Sequence, residues 1–133
     1  MGTEVAEQQA LIVDDSDVLR RLIEMCLRPA GIKAVPASTG AEAIEMASTV
    51  DPDIVLLDIG LPDMTGWDVL ESLRGSETNA DTKVMILSGY EDVHVEAKKR
   101  GADAALVKPF RNDELRKAVV ELLSAPSRIV TSA

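Results

Sequence analysis

Cysteine, histidine, tryptophan, tyrosine and phenylalanine each occur once in the 133 residues. A lone Cys26 rules out an internal disulfide and gives no sign of secretion. No apolar run approaches the ~20 residues that a membrane-spanning helix needs. Residues 1–9 are polar and acidic and lack the apolar centre of a signal peptide. Positive charge is scarce too: 14 Lys and Arg stand against 23 Asp and Glu, a formal net charge of −9. Such a surface repels nucleic acid and anionic lipid at long range, so neither direct nucleic-acid binding nor membrane association is expected. The reading is a soluble, cytoplasmic chain.

What is present is aliphatic. Hydrophobic residues make up 46% of the chain, and a chain of this length buries roughly two thirds of its unfolded surface, enough for a core without staples. One domain is expected over residues 9–125, with tails at 1–8 and 126–133 and no internal repeat. Five short apolar runs stand out: Ala10–Val13, Ile32–Val35, Ile54–Leu57, Val84–Leu87 and Ala104–Val107. They do not alternate, as expected of strands covered on both faces. Between them lie helix signals. Val18, Leu19, Leu22, Ile23 and Cys26 share one face at helical spacing, and Gly31 follows as a stop. Thr39 with Glu42, and Thr65 with Asp68, have capping-box spacing. Asn112 is the expected cap of a last helix burying Leu115, Val119 and Leu122. Strands alternating with helices predict an α/β fold with a parallel sheet and right-handed crossovers.

In such a sheet the functional crevice lies beyond the carboxyl ends of the strands. The first run ends in Asp14-Asp15, the third in Asp58, the fourth in Ser88-Gly89 and the fifth in Lys108-Pro109; the second ends in Pro36-Ala37-Ser38, without charge. Alone, each has an ordinary reading: a helix cap, a turn, a loop serine, a surface lysine. Together on one edge they make three carboxylates, a hydroxyl and an ammonium. Two unit charges ~4 Å apart repel by about 4 kcal/mol at an effective dielectric of 20. Clustered carboxylates therefore need a counter-charge or a proton. Hard oxygen ligands suit Mg²⁺, which takes one or two carboxylates and keeps waters for other ligands. A carboxylate beside Mg²⁺ and a lysine is suited to accept a phosphoryl group.

On these residues the chain resembles the receiver domain of two-component response regulators, the CheY-like family. The resemblance rests on Leu11-Ile12-Val13-Asp14-Asp15-Ser16, on the stretch from Asp51 through Asp58-Ile59-Gly60-Leu61-Pro62 to Trp67, on Leu87-Ser88-Gly89 and on Val107-Lys108-Pro109-Phe110. It runs from about Ala10 to Ser124 with the motifs in order. It implies a flavodoxin-like, doubly wound (βα)5 fold with strand order 2-1-3-4-5. It implies Asp58 as phosphoacceptor, and Mg²⁺ bound by Asp15, Asp58 and the Gly60 carbonyl, with Asp14 acting through water. Ser88 and Lys108 would contact the phosphoryl group, and the Lys108–Pro109 bond would be cis. The donor would be a sensor histidine kinase or a histidine phosphotransfer protein. The output would be altered binding to an unknown downstream protein, or a homodimer. The chain would catalyse only its own phosphorylation and dephosphorylation. No output domain is visible; the starting Met and short tails favour a stand-alone regulator over a piece of a longer protein.

One position departs from the family. The residue three before the lysine is usually Tyr or Phe and here is Ala105, whose methyl group cannot act as a rotating latch. Signalling through backbone shifts is the plainer reading. Tyr90, two residues past Ser88, is the alternative, packing over the site or beside Ala105. Gly60 and Tyr90 also flank the path by which water would reach the phosphoryl group. Two other functions compete. A receiver-like interaction module that is never phosphorylated is kept alive by Ala105. A haloacid-dehalogenase-type phosphatase wants a second Asp two residues after the nucleophile, and Gly60 stands there. His94, Trp67 and the Lys98-Lys99-Arg100 cluster are read as surface or packing residues, Glu91-Asp92 as a helix start, and Cys26 as a small core residue.

Overall fold

All five aliphatic runs form strands, and four of them extend past their apolar residues. The computed structural model describes residues 7–126. In chain order the elements are β1 (Gln8–Val13), α1 (Asp17–Leu27), β2 (Ile32–Ala37), α2 (Gly40–Val50), β3 (Ile54–Asp58), α3 (Gly66–Arg74), β4 (Lys83–Ser88), α4 (Val93–Lys99), β5 (Ala104–Val107) and α5 (Asn112–Ser124). The sheet is parallel throughout, in the order β2-β1-β3-β4-β5. This is the flavodoxin-like arrangement. Pro36 sits in β2, an edge strand, where a missing N–H is tolerated. The expected tails fall almost wholly outside the described residues, except that Gln8 already belongs to β1.

Successive side chains of a strand point to opposite faces, which divides the core in two. Leu11, Val13, Val55, Leu57, Val84 and Ile86 face α2, α3 and α4. Ala10, Ile12, Ile54, Leu56, Met85 and Leu87 face α1 and α5. Both faces are covered, so the strands carry no polar alternation.

Two helix expectations need correction. In α1 the buried residues are Ile23, Cys26 and Leu27, with Leu19 partly buried, whereas Val18 and Leu22 are exposed. The apolar arc of α1 is wider than the strip the sheet covers. In α5 the N-cap is Arg111, and Asn112 is the first helical residue. Leu115 and Val119 are buried there as expected, and Leu122 partly so.

The caps explain where the other helices start. Ser16 Oγ accepts the Leu19 N–H at 3.1 Å and opens α1. Gly31 ends the turn after it with φ +77°, a left-handed conformation that favours glycine. Thr65 and Asp68 form a reciprocal capping box on α3. Thr39 caps α2, but the Glu42 carboxylate accepts from the Ser38 N–H at 2.7 Å, not from Thr39. At the opposite end of the sheet, Arg74 donates to the carbonyls of Thr82 and Gly101 at 2.7 and 3.0 Å and pairs with Asp103 at 2.9 Å. Among the described residues no helix is long and apolar enough to cross a membrane.

Candidate functional site

Register brings the charged residues together. Val13 pairs with Leu57, Leu57 with Ile86, and Ser88 with Val107. The residues at or just beyond these positions, Asp14, Asp58, Ser88 and Lys108, therefore stand at one edge of the sheet. Asp14 is buried, Asp58 half-buried and Asp15 exposed. Carboxylate oxygens of all three lie within 4.8 Å of one another. Lys108 Nζ donates to Asp14 Oδ2 at 2.9 Å and to Asp58 Oδ1 at 3.2 Å. The Lys108–Pro109 peptide is cis.

The second oxygen of Asp14 accepts the Ser16 N–H at 2.9 Å, so Ser16, not either aspartate, caps α1. Ser88 is buried, and its Oγ accepts the Tyr90 N–H at 3.1 Å, leaving the hydroxyl hydrogen for another acceptor. The Ser88 carbonyl accepts the Lys108 N–H at 2.7 Å, which ties the two strand ends. Gly60 is exposed, with open space where a side chain would stand. Gly66 is the reverse case. A Cβ there would collide with the Asp58 carbonyl oxygen and the Ile59 Cα, so only glycine lets the chain turn back against the end of β3.

Electrostatics follow from burial and proximity. Burial, together with the Asp14 charge, raises the Asp58 carboxyl above its ordinary value, and Lys108 offsets part of this. Burial alone would lower the Lys108 ammonium, but the hydrogen bonds and charges of Asp14 and Asp58 outweigh it and raise the group. Three carboxylates thus share this edge with the Lys108 ammonium, which pairs with two of them. Three hard oxygen donors within mutual reach fit a small divalent cation.

Tyr90 is 72% exposed. It lines a groove of about 500 Å³ with Ile59, Trp67, Ser88, Val93 and Val95. It does not fill the space beside Ala105, which is a separate groove of about 460 Å³ bordered by His94, Ala97 and Lys98. Of the two placements expected for Tyr90, over the site or beside Ala105, the ring lines the groove that also contains Ser88. Cys26 is buried, its thiol donating to the Asn112 carbonyl. Trp67 is half-buried, with the Arg100 guanidinium 5.0 Å from its ring centre.

Sequence reasoning missed Arg20. Its guanidinium donates to the Asp14 carbonyl at 2.5 Å and pairs with Asp17, tying the acidic loop to α1. The signal was available: a cation in the first turn of a helix opposes the dipole and implies a specific partner. Asp63 was missed as well, because its partners lie 22 and 23 residues earlier in the chain.

The family model for the response regulator receiver domain matches residues 10–120. The chain belongs to this family. The receiver domain is 43% identical over 115 residues to the transcriptional regulatory protein KdpE of Mycobacterium tuberculosis, covering 82% of this chain and 50% of that protein. It is 36% identical over 109 residues to the cell cycle transcriptional regulator CtrA of Caulobacter vibrioides, covering 80% and 46%. It thus spans about half the length of these relatives. Among solved structures, the chemotaxis response regulator CheY4 of Vibrio cholerae superposes with a TM-score of 0.82 at 28% identity, over 88% of this chain and 99% of that one. The receiver domain of the sensor histidine kinase PA1611 from Pseudomonas aeruginosa PAO1 gives 0.82 at 25% identity, over 90% and 100%; that structure has a magnesium ion coordinated in its active-site cleft.

Proposed function

We propose that this receiver domain takes a phosphoryl group onto Asp58 and so switches its binding to a downstream protein in a two-component pathway of the cytoplasm. One observation carries the reading. Three carboxylates converge within 4.8 Å, and a lysine bridges two of them at 2.9 and 3.2 Å. Asp15, Asp58 and the Gly60 carbonyl would hold Mg²⁺, with Asp14 reaching it through water. When bound, the ion supplies positive charge beside the phosphoryl oxygens.

The chain's own groups do the rest. A carboxylate oxygen of Asp58 attacks phosphorus on a phosphohistidine of a sensor histidine kinase or phosphotransfer protein. The P–N bond breaks as the O–P bond forms, and the imidazole nitrogen keeps the electron pair. Water later attacks the same phosphorus, returning the carboxylate and releasing inorganic phosphate. Lys108 and the Ser88 hydroxyl would donate to phosphoryl oxygens. Charge-assisted hydrogen bonds contribute about 1.5–3 kcal/mol each. Moving a two-state equilibrium from 1:99 to 99:1 requires about 5.5 kcal/mol. Lys108 already serves two carboxylates, so its share is only a difference. Ser88 and the loop behind it must supply a large part of the switch, and Tyr90 rides on that loop. Tyr90→Ala tests whether the ring matters: unchanged phosphoryl lifetime and partner affinity would assign the signal to the backbone alone.

The decisive experiment is incubation with Mg²⁺ and acetyl phosphate, read by mass spectrometry. A gain of one phosphoryl group that Asp58→Asn abolishes is the expected result. No gain in the wild type overturns the reading, and a gain that persists in Asp58→Asn moves the acceptor elsewhere. The net charge of −9 argues against direct nucleic-acid binding by these residues. Size-exclusion chromatography with and without phosphorylation tests for a homodimer.

A further inference from the structure

The Gly60 carbonyl sits on the loop of residues 59–65 between β3 and α3. Ties within the loop set its shape. Gly60 and Thr65 pair as an antiparallel bridge, and the Gly66 and Leu61 N–H groups donate to the Ile59 carbonyl at 2.8 and 3.2 Å. None of these fixes where the outer part of the loop stands relative to the neighbouring elements.

Asp63 makes that connection. Its Oδ1 accepts the Gly40 N–H at 2.8 Å and its Oδ2 accepts the Ala41 N–H at 2.9 Å. These are two of the amides that the first turn of α2 leaves without intrahelical partners. Thr39 takes another, that of Glu42. The first turn of α2 is therefore capped jointly by its own N-cap and by a distant loop. Met64 adds packing: it fills the space over Gly40, where a Cβ would collide with its side chain. Behind this turn, Ala43 and Ala47 are buried against the sheet, so α2 is a firm support.

We propose that Asp63 is a positioning residue for cation binding, clamping the loop to α2 so that the Gly60 carbonyl stands in register with Asp15 and Asp58. The inference rests on the magnesium reading given above. Mg²⁺ demands near-ideal octahedral geometry at about 2.0–2.1 Å, so a backbone ligand serves it only as well as its loop is held. A carboxylate spanning two N–H groups at a helix N-terminus makes a charge-assisted, directional clamp. The Ala41 and Gly40 N–H groups hold the Asp63 carboxyl below its ordinary value, so the clamp is ionised throughout the neutral range.

The test is an amide-NMR titration of the whole chain with MgCl₂, for wild type, Asp63→Ala, Asp63→Asn and Asp58→Asn. It is paired with hydrogen exchange and thermal melts of the metal-free proteins. Asp63→Ala is expected to weaken Mg²⁺ about tenfold, as loss of a supporting partner does at other metal sites. Asp63→Asn, which keeps an acceptor oxygen, should recover part of that loss. The amides of Gly40, Ala41 and residues 61–66 should exchange faster in Asp63→Ala, with α5 unaffected. If Asp63→Ala binds Mg²⁺ as tightly as wild type while melting lower, Asp63 is only a helix cap and the proposal is overturned. If the wild type shows no response that Asp58→Asn removes, the magnesium reading itself falls and takes the inference with it. The wild-type curve tells the two failures apart.

Discussion

Lys108 Nζ lies 2.9 Å from Oδ2 of Asp14, a carboxylate 94 residues earlier whose side chain is only 2% exposed. The pair joins the ends of β1 and β5, the elements that frame the acidic edge. Among the described residues Lys108 is the cation paired with the Asp14 carboxylate, so Lys108 carries the neutralisation. Removing the partner of a buried charge leaves that charge uncompensated, which costs more than the pair itself contributes. Lys108 is about a quarter exposed, which softens the effect. Lys108→Ala is expected to destabilise the metal-free protein by about 1–3 kcal/mol in urea denaturation. Asp14→Asn in the same background should recover much of the loss, because the unpaired charge goes with it. A double variant no more stable than the single one would show that the lysine acts by packing instead.

Asp58 gives a pH prediction with a definite sign. Its folded-state value is raised, by burial first and by Asp14 second, so the folded chain holds this proton more tightly than the unfolded chain does. The stability linked to that proton is fully present below the ordinary Asp value and is lost as pH rises through the raised one. Near neutrality the charged Asp58 is therefore a cost to the metal-free fold. Asp58→Asn should raise the melting temperature at about pH 7, where 1 kcal/mol corresponds to roughly 4 °C for a domain of this size. The gain should shrink at about pH 3, below the ordinary Asp value. Mg²⁺ at 100 times its dissociation constant would add about 2.7 kcal/mol to the wild type and little to the variant. An equal gain for Asp58→Asn at both pH values would mean that charge is not the cause.

The fold was legible because it rests on local signals. Aliphatic runs of four residues, capping residues such as Thr65 and a stop at Gly31 are all written in short windows. The acidic edge was legible for the same reason: each of Asp14, Asp58, Ser88 and Lys108 ends or follows a run. What escaped depends on distant partners. Arg74 reads as an ordinary last-turn basic residue of α3, yet it is the hub joining Thr82, Gly101 and Asp103. The outer face of α1 escaped differently. Val18 and Leu22 obey helical spacing, but spacing does not tell which part of an apolar arc the sheet will cover.

Gly66 is where the backbone of the site is most tightly constrained. A methyl group there would meet the carbonyl oxygen of Asp58 and the Cα of Ile59, both backbone atoms that have no rotamer to move aside. Relief would have to come from shifting the end of β3 or the first turn of α3. Overpacking of this kind costs about 1–3 kcal/mol, so Gly66→Ala should lower the urea midpoint by a corresponding amount. The shift would also displace the Asp58 main chain, and acceptance of phosphate from acetyl phosphate should slow with it. Gly75→Ala is the control. It is the C-cap at the other end of the same helix, and its added Cβ would lie 3.5 Å from the nearest atom, the Glu71 carbonyl oxygen, which is ordinary contact. Were Gly66→Ala as stable as Gly75→Ala, the close approach between the start of α3 and the end of β3 would not be a constraint on the site.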